Sequence, residues 1–228
     1  VREVWGLESE RVALAWRCPG AASGEGLMLS VISAIMSNGR AGLSDRNLMQ
    51  EQKLLSAYAF PYDQTDYTAY FMQGSPKQGQ SLDEVKELLL AQIDALRRGD
   101  WDESLLAAGI ANYKLQVQQM LEDNSSRADL FVTSFVNGQP WADMVHRVER
   151  MEQITKADVV AFANAHLKDN NYAIVYKRQG QDPNVKKIAK PAITPIFMNR
   201  DTTSAFLREV QASVVAPIEP VFVDFEKD

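Results

Sequence analysis

The hydrophobic period of this chain changes twice, and the order of those changes constrains its fold more than any other feature. Arg11-Val-Ala-Leu-Ala-Trp-Arg17 alternates large (Val12, Leu14, Trp16) with small (Ala13, Ala15) apolar residues, the two-residue period of a strand with unlike faces. Pro19-Gly20 and Ser23-Gly24 mark a loop, and from Glu25 to Ser37 apolar residues run nearly all round a helix, which predicts deep burial. Tyr58, Phe60 and Tyr62 share one face of a strand. After Asp63-Gln64 the run Tyr67 to Gln73 alternates again, which predicts an antiparallel hairpin.

The middle of the chain is helical in period. Ser81-Leu-Asp-Glu84 is a capping box, followed by the stripe Leu82, Val85, Leu88, Leu89, Ile93 and Leu96 and closed by Gly99. Asp100 with Glu103 reads as a second box, opening a helix with the stripe Leu106, Ile110, Tyr113, Val117, Met120 and Leu121. A third helix is expected from Ser125 to Gly138. Pro140 fits a first helical position, with Trp141, Val145, Val148 and Met151 behind it. Thr155 with Asp158 opens a last helix carrying Val159, Phe162, Ala163 and Leu167, and Tyr172 to Arg178 returns to a strand. Strands, then clustered helices, then a closing strand predict an α+β fold: a mostly antiparallel sheet covered on one face by helices.

After Arg178 regular patterning fades. Five of the nine prolines (Pro183, Pro191, Pro195, Pro217, Pro220) fall between residues 179 and 228, so an extended path is expected there, interrupted by a short helix at Ser204 to Ala212. The predicted division is a domain over 1–178 and a Pro-containing linker over 179–228 towards a following domain. The chain begins without methionine, and its final run from Val221 reads as the lead into another strand, so a longer parent is expected.

Composition excludes several functions. Hydrophobic residues at 46% and charged residues at 24% suit a packed core rather than disorder. The formal net charge is −6 and no basic block interleaves with aromatics, so a nucleic-acid surface is not expected. The longest apolar stretch, Leu27 to Met36, is too short to span a bilayer. Cys18 is the single cysteine, which rules out an intrachain disulfide or a thiolate metal cluster.

Between Gly39 and Tyr58 the chain reads Gly-Arg-Ala-Gly-Leu-Ser-Asp-Arg-Asn-Leu, a polar stretch, then Leu54-Leu-Ser-Ala-Tyr58. This resembles the second, non-catalytic domain of the insulinase (pitrilysin-type) zinc metallopeptidases, where a Gly-rich turn followed by Ser-Ser-Arg-Leu opens a helix leading to Ala-Tyr or Gly-Tyr on the next strand. The resemblance covers roughly residues 4 to 178. It implies one half of a clamshell that encloses an unfolded peptide, with zinc held by a catalytic domain of the same parent chain or a partner subunit. It also implies that Tyr58 touches substrate, together with an arginine seven positions earlier; here that position is Glu51, and Lys53 lies beside it. Tyr58 reads equally as a strand aromatic packing with Phe60 and Tyr62. The Gly39–Gly42 turn has two readings as well. One is a loop needing positive φ; the other is a mobile guide for peptides, with Arg40 and Arg46 meeting acidic groups of the substrate.

No catalytic residue, zinc ligand or cofactor is expected in this chain. The family's zinc motif is His-x-x-Glu-His. His146-Arg-Val-Glu-Arg150 copies its first four positions, but Arg150 stands where the second histidine would ligate, and arginine repels a cation. His166, the only other histidine, falls on an apolar helical stripe. The rival to the protease reading is a scaffold or protein-interaction module that kept the peptidase fold.

Overall fold

The computed structural model describes residues 1–182, 189–196 and 202–214. The chain divides into two units, Val1–Asn184 and Val185–Asp228. The first is built on a five-stranded sheet: β1 (Arg2–Gly6), β2 (Arg11–Pro19), β3 (Ser56–Tyr62), β4 (Tyr67–Ser75) and β5 (Tyr172–Gln179), in spatial order β1-β5-β2-β4-β3. β2 pairs antiparallel with both β4 and β5, β3 pairs antiparallel with β4, and β1 joins β5 in parallel. The fold is α+β with a mostly antiparallel sheet, as the order of periods predicts.

Alternation sorts the two faces. Val12, Leu14, Trp16 and Cys18 of β2, Thr68, Tyr70 and Met72 of β4, and Ala57 and Ala59 of β3 are buried beneath helices. Their in-between neighbours face the other way, where no helix of the first unit covers them among the described residues. α1 (Gly26–Met36) packs on β3 on one side and on α3 (Ser104–Met120) on the other, which explains its all-round apolar surface. Gly109 makes that contact close, since a Cβ there would lie 2.9 Å from the Ala34 Cβ. α2 (Leu82–Arg98) lies over β2 and β4, its Ser81–Glu84 capping box formed and its end turned by Gly99 at φ 73°. α7 (Lys156–His166), opened by the Thr155–Asp158 box, completes the layer against α2, burying Val159 and Ala163, with Leu167 buried at its C-cap.

Several sequence expectations are corrected. β1 has no clean alternation and its partner strand lies at the far end of the domain, so nothing local announces it. The Asp100–Glu103 box does not form; Asp102 Oδ1 instead accepts the Ser104 N–H at 2.8 Å, while Asp100 Oδ2 takes Arg98 Nε at 2.9 Å. The third helix, α4 (Asn124–Val136), is capped by Asp123 and buries only Ser134. The segment after Pro140 is two short helices, α5 (Trp141–Val145) and α6 (Arg147–Met151), interrupted at His146; of its expected stripe only Met151 is buried. Lys86, which the stripe places towards solvent, is 24% exposed at the side chain and pairs with Glu87 at 2.9 Å and Asp83 at 3.6 Å.

In the second unit, α8 (Ala205–Ala212) forms where expected, with Ser204 Oγ accepting the Leu207 N–H at 3.1 Å. Residues 189–196 have no regular secondary structure and are exposed. The expected strand from Val221 and the prolines Pro183, Pro217 and Pro220 lie outside the described residues.

Candidate functional site

The helix-free face of the sheet presents its side chains by strand alternation, with no covering helix from the first unit among the described residues. Tyr58 stands there, 41% exposed, opposite Gln73 in the β3–β4 register. Its hydroxyl donates to Gln73 Oε1 at 3.1 Å. The Tyr58 ring stacks on Phe60 at 6.0 Å, and Phe60 on Phe71 of β4 at 5.4 Å. On the same face Arg17 of β2 lies 4.3 Å over the Tyr67 ring. The result is an aromatic strip with a fixed hydroxyl and one cation, suited to covering an apolar peptide side chain while offering a hydrogen bond. Gln73, Phe71 and Arg17 were not singled out from the sequence, although strand alternation puts them on this face once the hairpin register is known.

Glu51, at the position of the family's arginine, pairs with Lys53 at 2.6 Å, both half exposed. Lys53 therefore does not supply a free positive charge in arginine's place.

The Gly39–Gly42 turn is tied by side-chain hydrogen bonds to its backbone. Asp45 Oδ2 accepts three backbone N–H groups, from Asn38 (2.9 Å), Arg40 (3.1 Å) and Gly42 (3.1 Å). Asn38 Oδ1 accepts two more, from Arg40 and Ala41. Gly39 sits at φ 78°, and a Cβ on Gly42 would come within 2.8 Å of the Met36 carbonyl. Both glycines answer to local geometry. A π-helical segment, Asp45–Gln50, follows. Arg40 is exposed at the mouth of a groove between α1 and α3, and Arg46 is exposed near Asp102. The Asp102 carboxyl is held below its usual range first by hydrogen bonds from Ser104 and then, more weakly, by the Arg46 charge. Neither arginine joins Tyr58 on the open face.

Tested as a zinc site, these residues do not fit. His146 Nδ1 lies 3.9 Å from Glu149, and Arg150, in the second ligand position, pairs with Asp143 at 3.2 Å. His166 is elsewhere, its ring 4.4 Å from Phe162 and its Nε2 3.8 Å from Glu25. Among the described residues no three His, Cys, Asp or Glu side chains converge for a metal. Burial, and secondarily the Glu25 charge, push the Cys18 thiol up to about 12, so it is no nucleophile. Among the described residues no helix is long and apolar enough to cross a membrane.

This architecture has known counterparts. Residues 2–113 match the family of the peptidase M16 inactive domain. A protease from Helicobacter pylori superposes with a TM-score of 0.71 at 18% identity, over 77% of this chain and 43% of that one. The inactive peptidase domain of a candidate zinc protease from Bordetella parapertussis gives 0.69 at 18% identity, over 78% of this chain and 97% of that one. A chain of Complex III2 from Candida albicans gives 0.63 at 14% identity, over 77% and 45%. No curated protein matches the sequence. The match over residues 2–113 and the fold shared with these structures are those of the non-catalytic, inactive domain of M16, or insulinase-type, peptidases. It spans under half the length of the Helicobacter protease it resembles.

Proposed function

We propose that this domain is the non-catalytic part of an insulinase-type zinc metalloendopeptidase, forming a wall of the chamber that encloses an extended or unfolded peptide. The zinc belongs to a catalytic domain, in the same parent chain or in a partner subunit, and this chain supplies no ligand to it. Residues 179–228 serve as the connector towards a following domain.

The observation that carries this reading is the aromatic strip on the helix-free face, with the Tyr58 hydroxyl held in place by Gln73. A hydroxyl already oriented meets a peptide carbonyl or amide at small entropic cost. Arg40 and Arg46 are assigned no part in this contact, because they lie with the helices.

Tyr58→Phe in the intact protease tests it. The substitution removes one exposed hydroxyl and keeps the stacking on Phe60, so stability should hold. If the hydroxyl contacts the transition state, kcat/KM falls about ten- to a hundred-fold, roughly 1.4–2.7 kcal/mol. Unchanged kinetics would count for the second reading, a scaffold that kept the peptidase fold. Two observations favour that rival: Glu51 neutralises Lys53 where the family places a free arginine, and a Complex III2 chain shares the fold.

A further inference from the structure

The groove between α1 and α3 carries an inference that does not depend on the chamber reading, since it lies with the helices while Tyr58 stands on the bare sheet face. The two helices touch at Ala34 and Gly109. Beside that contact a cavity of about 480 Å³ opens, floored by Val31, Leu106 and Ile110 and walled by Asn112, Gln116 and Gln119 of α3 and by Ser37 and Asn38 of α1's end. Its charge pattern is one-sided. The lining residues include no Asp or Glu, in a chain of net charge −6.

Two guanidinium groups bracket the groove. At one end is Arg40, exposed, whose backbone is fixed by Asp45 and Asn38 while its side chain makes no ion pair among the described residues. At the other, Arg147 of α6 reaches two lining residues: Nη2 donates to Ser30 Oγ at 2.8 Å, and its guanidinium lies 5.8 Å over the Tyr113 ring. Arg147 Nε is buried without a hydrogen-bond partner, and no carboxylate pairs with Arg147 among the described residues. The turn's own acid, Asp45, is spent on three backbone N–H groups. From Ser30 to Ser37 the helix rises about 10 Å, the span of about three extended residues. Side-chain amides between the two cations are donors and acceptors of the kind an extended backbone needs.

We propose that this groove binds a short, extended acidic peptide segment, with carboxylates about three residues apart meeting Arg40 and Arg147 and its backbone meeting the Asn and Gln side chains between them. Charge complementarity selects the occupant: a groove with cations at both ends and no acid along it rejects basic segments and holds acidic ones.

The probes are fluorescein-labelled, acetylated Glu-Ala-Ala-Glu, its Lys-Ala-Ala-Lys counterpart and an all-alanine control, titrated with the chain and read by anisotropy. The acidic peptide should bind saturably and the other two should not, with affinity falling as salt rises. Arg40→Ala should weaken binding about three- to five-fold, as befits an exposed charge. Arg147→Met should weaken it about ten-fold or more, since its pairing is partly desolvated. Tyr58→Phe should change nothing. Because Arg147 also braces Ser30, its variant is read only with an unchanged melting temperature, and Arg40→Ala stands without that condition. Equal binding of acidic and basic peptides would overturn the proposal, as would indifference to Arg40→Ala. So would a concentration-dependent dimer that Arg40→Ala abolishes, which would make the groove a contact between two copies of the chain.

Discussion

α2 and α4 start alike and end differently. Each opens on a side chain that caps its first turn, Ser81 in one and Asp123 in the other, and each carries several large apolar residues. α2 buries Leu82, Val85, Leu89, Ile93 and Leu96 against the sheet. α4 buries a serine and leaves Phe131, Val132, Phe135 and Val136 largely exposed, with Phe131 stacked on Trp141 of α5 at 4.2 Å. Caps and apolar content are local properties of a sequence; burial depends on having a surface to lie on. The sheet gives α2 that surface, and α4, which packs chiefly on the short α5, lacks one among the described residues.

The contrast predicts where substitutions hurt. Leu89 is fully buried where α2 crosses the sheet. Leu89→Asp places a carboxylate there with no partner, and should cost about 3–5 kcal/mol, enough to abolish cooperative folding. Ala91→Gln, on the exposed side of the same helix, should leave the urea midpoint within experimental scatter. Equal losses in the two variants would mean that α2 is not seated on the sheet as described.

The same contrast explains what was legible in the sequence. β2, the β3–β4 hairpin, α2 and α7 announced themselves because their apolar periods match one flat partner. Tyr58's face followed from alternation alone. Features made by distant pairs did not show. β1 depends on β5, the Asp45 clasp on a reversal of the chain, and the α1–α3 groove on Ala34 meeting Gly109. The break at His146 and the half-buried state of Lys86 belong to the same class. The Asp100–Glu103 box misled because Asp102, two residues before the Ser104 N–H, offered a shorter route to it.

The Gly39–Gly42 turn lies between the two extremes, being at the surface yet tightly tied. Gly42→Ala forces a methyl to within 2.8 Å of the Met36 carbonyl and the Ser37 nitrogen, backbone atoms that cannot swing aside. The expected loss is about 1–3 kcal/mol. Gly39→Ala meets no atom within 4 Å and is strained only by its positive φ, so about 1 kcal/mol should suffice there. Thermal melts of both variants check the order. A turn that tolerates Gly42→Ala freely would be mobile in solution, which would favour the reading of a peptide guide over that of a fixed loop.

The smallest expected effect is the most pointed. Phe135 is 89% exposed on α4, so folding removes little of its surface from water and its burial contributes little to stability. Phe and Ser differ little in helix propensity, so Phe135→Ser also leaves the helix itself almost unchanged. The substitution should shift unfolding by under about 0.5 kcal/mol while lowering surface hydrophobicity and improving solubility. Amide exchange should agree, with α4 exchanging through local opening while α2 exchanges only through global unfolding. A loss above about 1 kcal/mol on Phe135→Ser, or protection of α4 equal to that of α2, would break the comparison. It would mean that this apolar face is covered when the chain is in solution, and that α4 is as much a part of the folded core as the helices on the sheet.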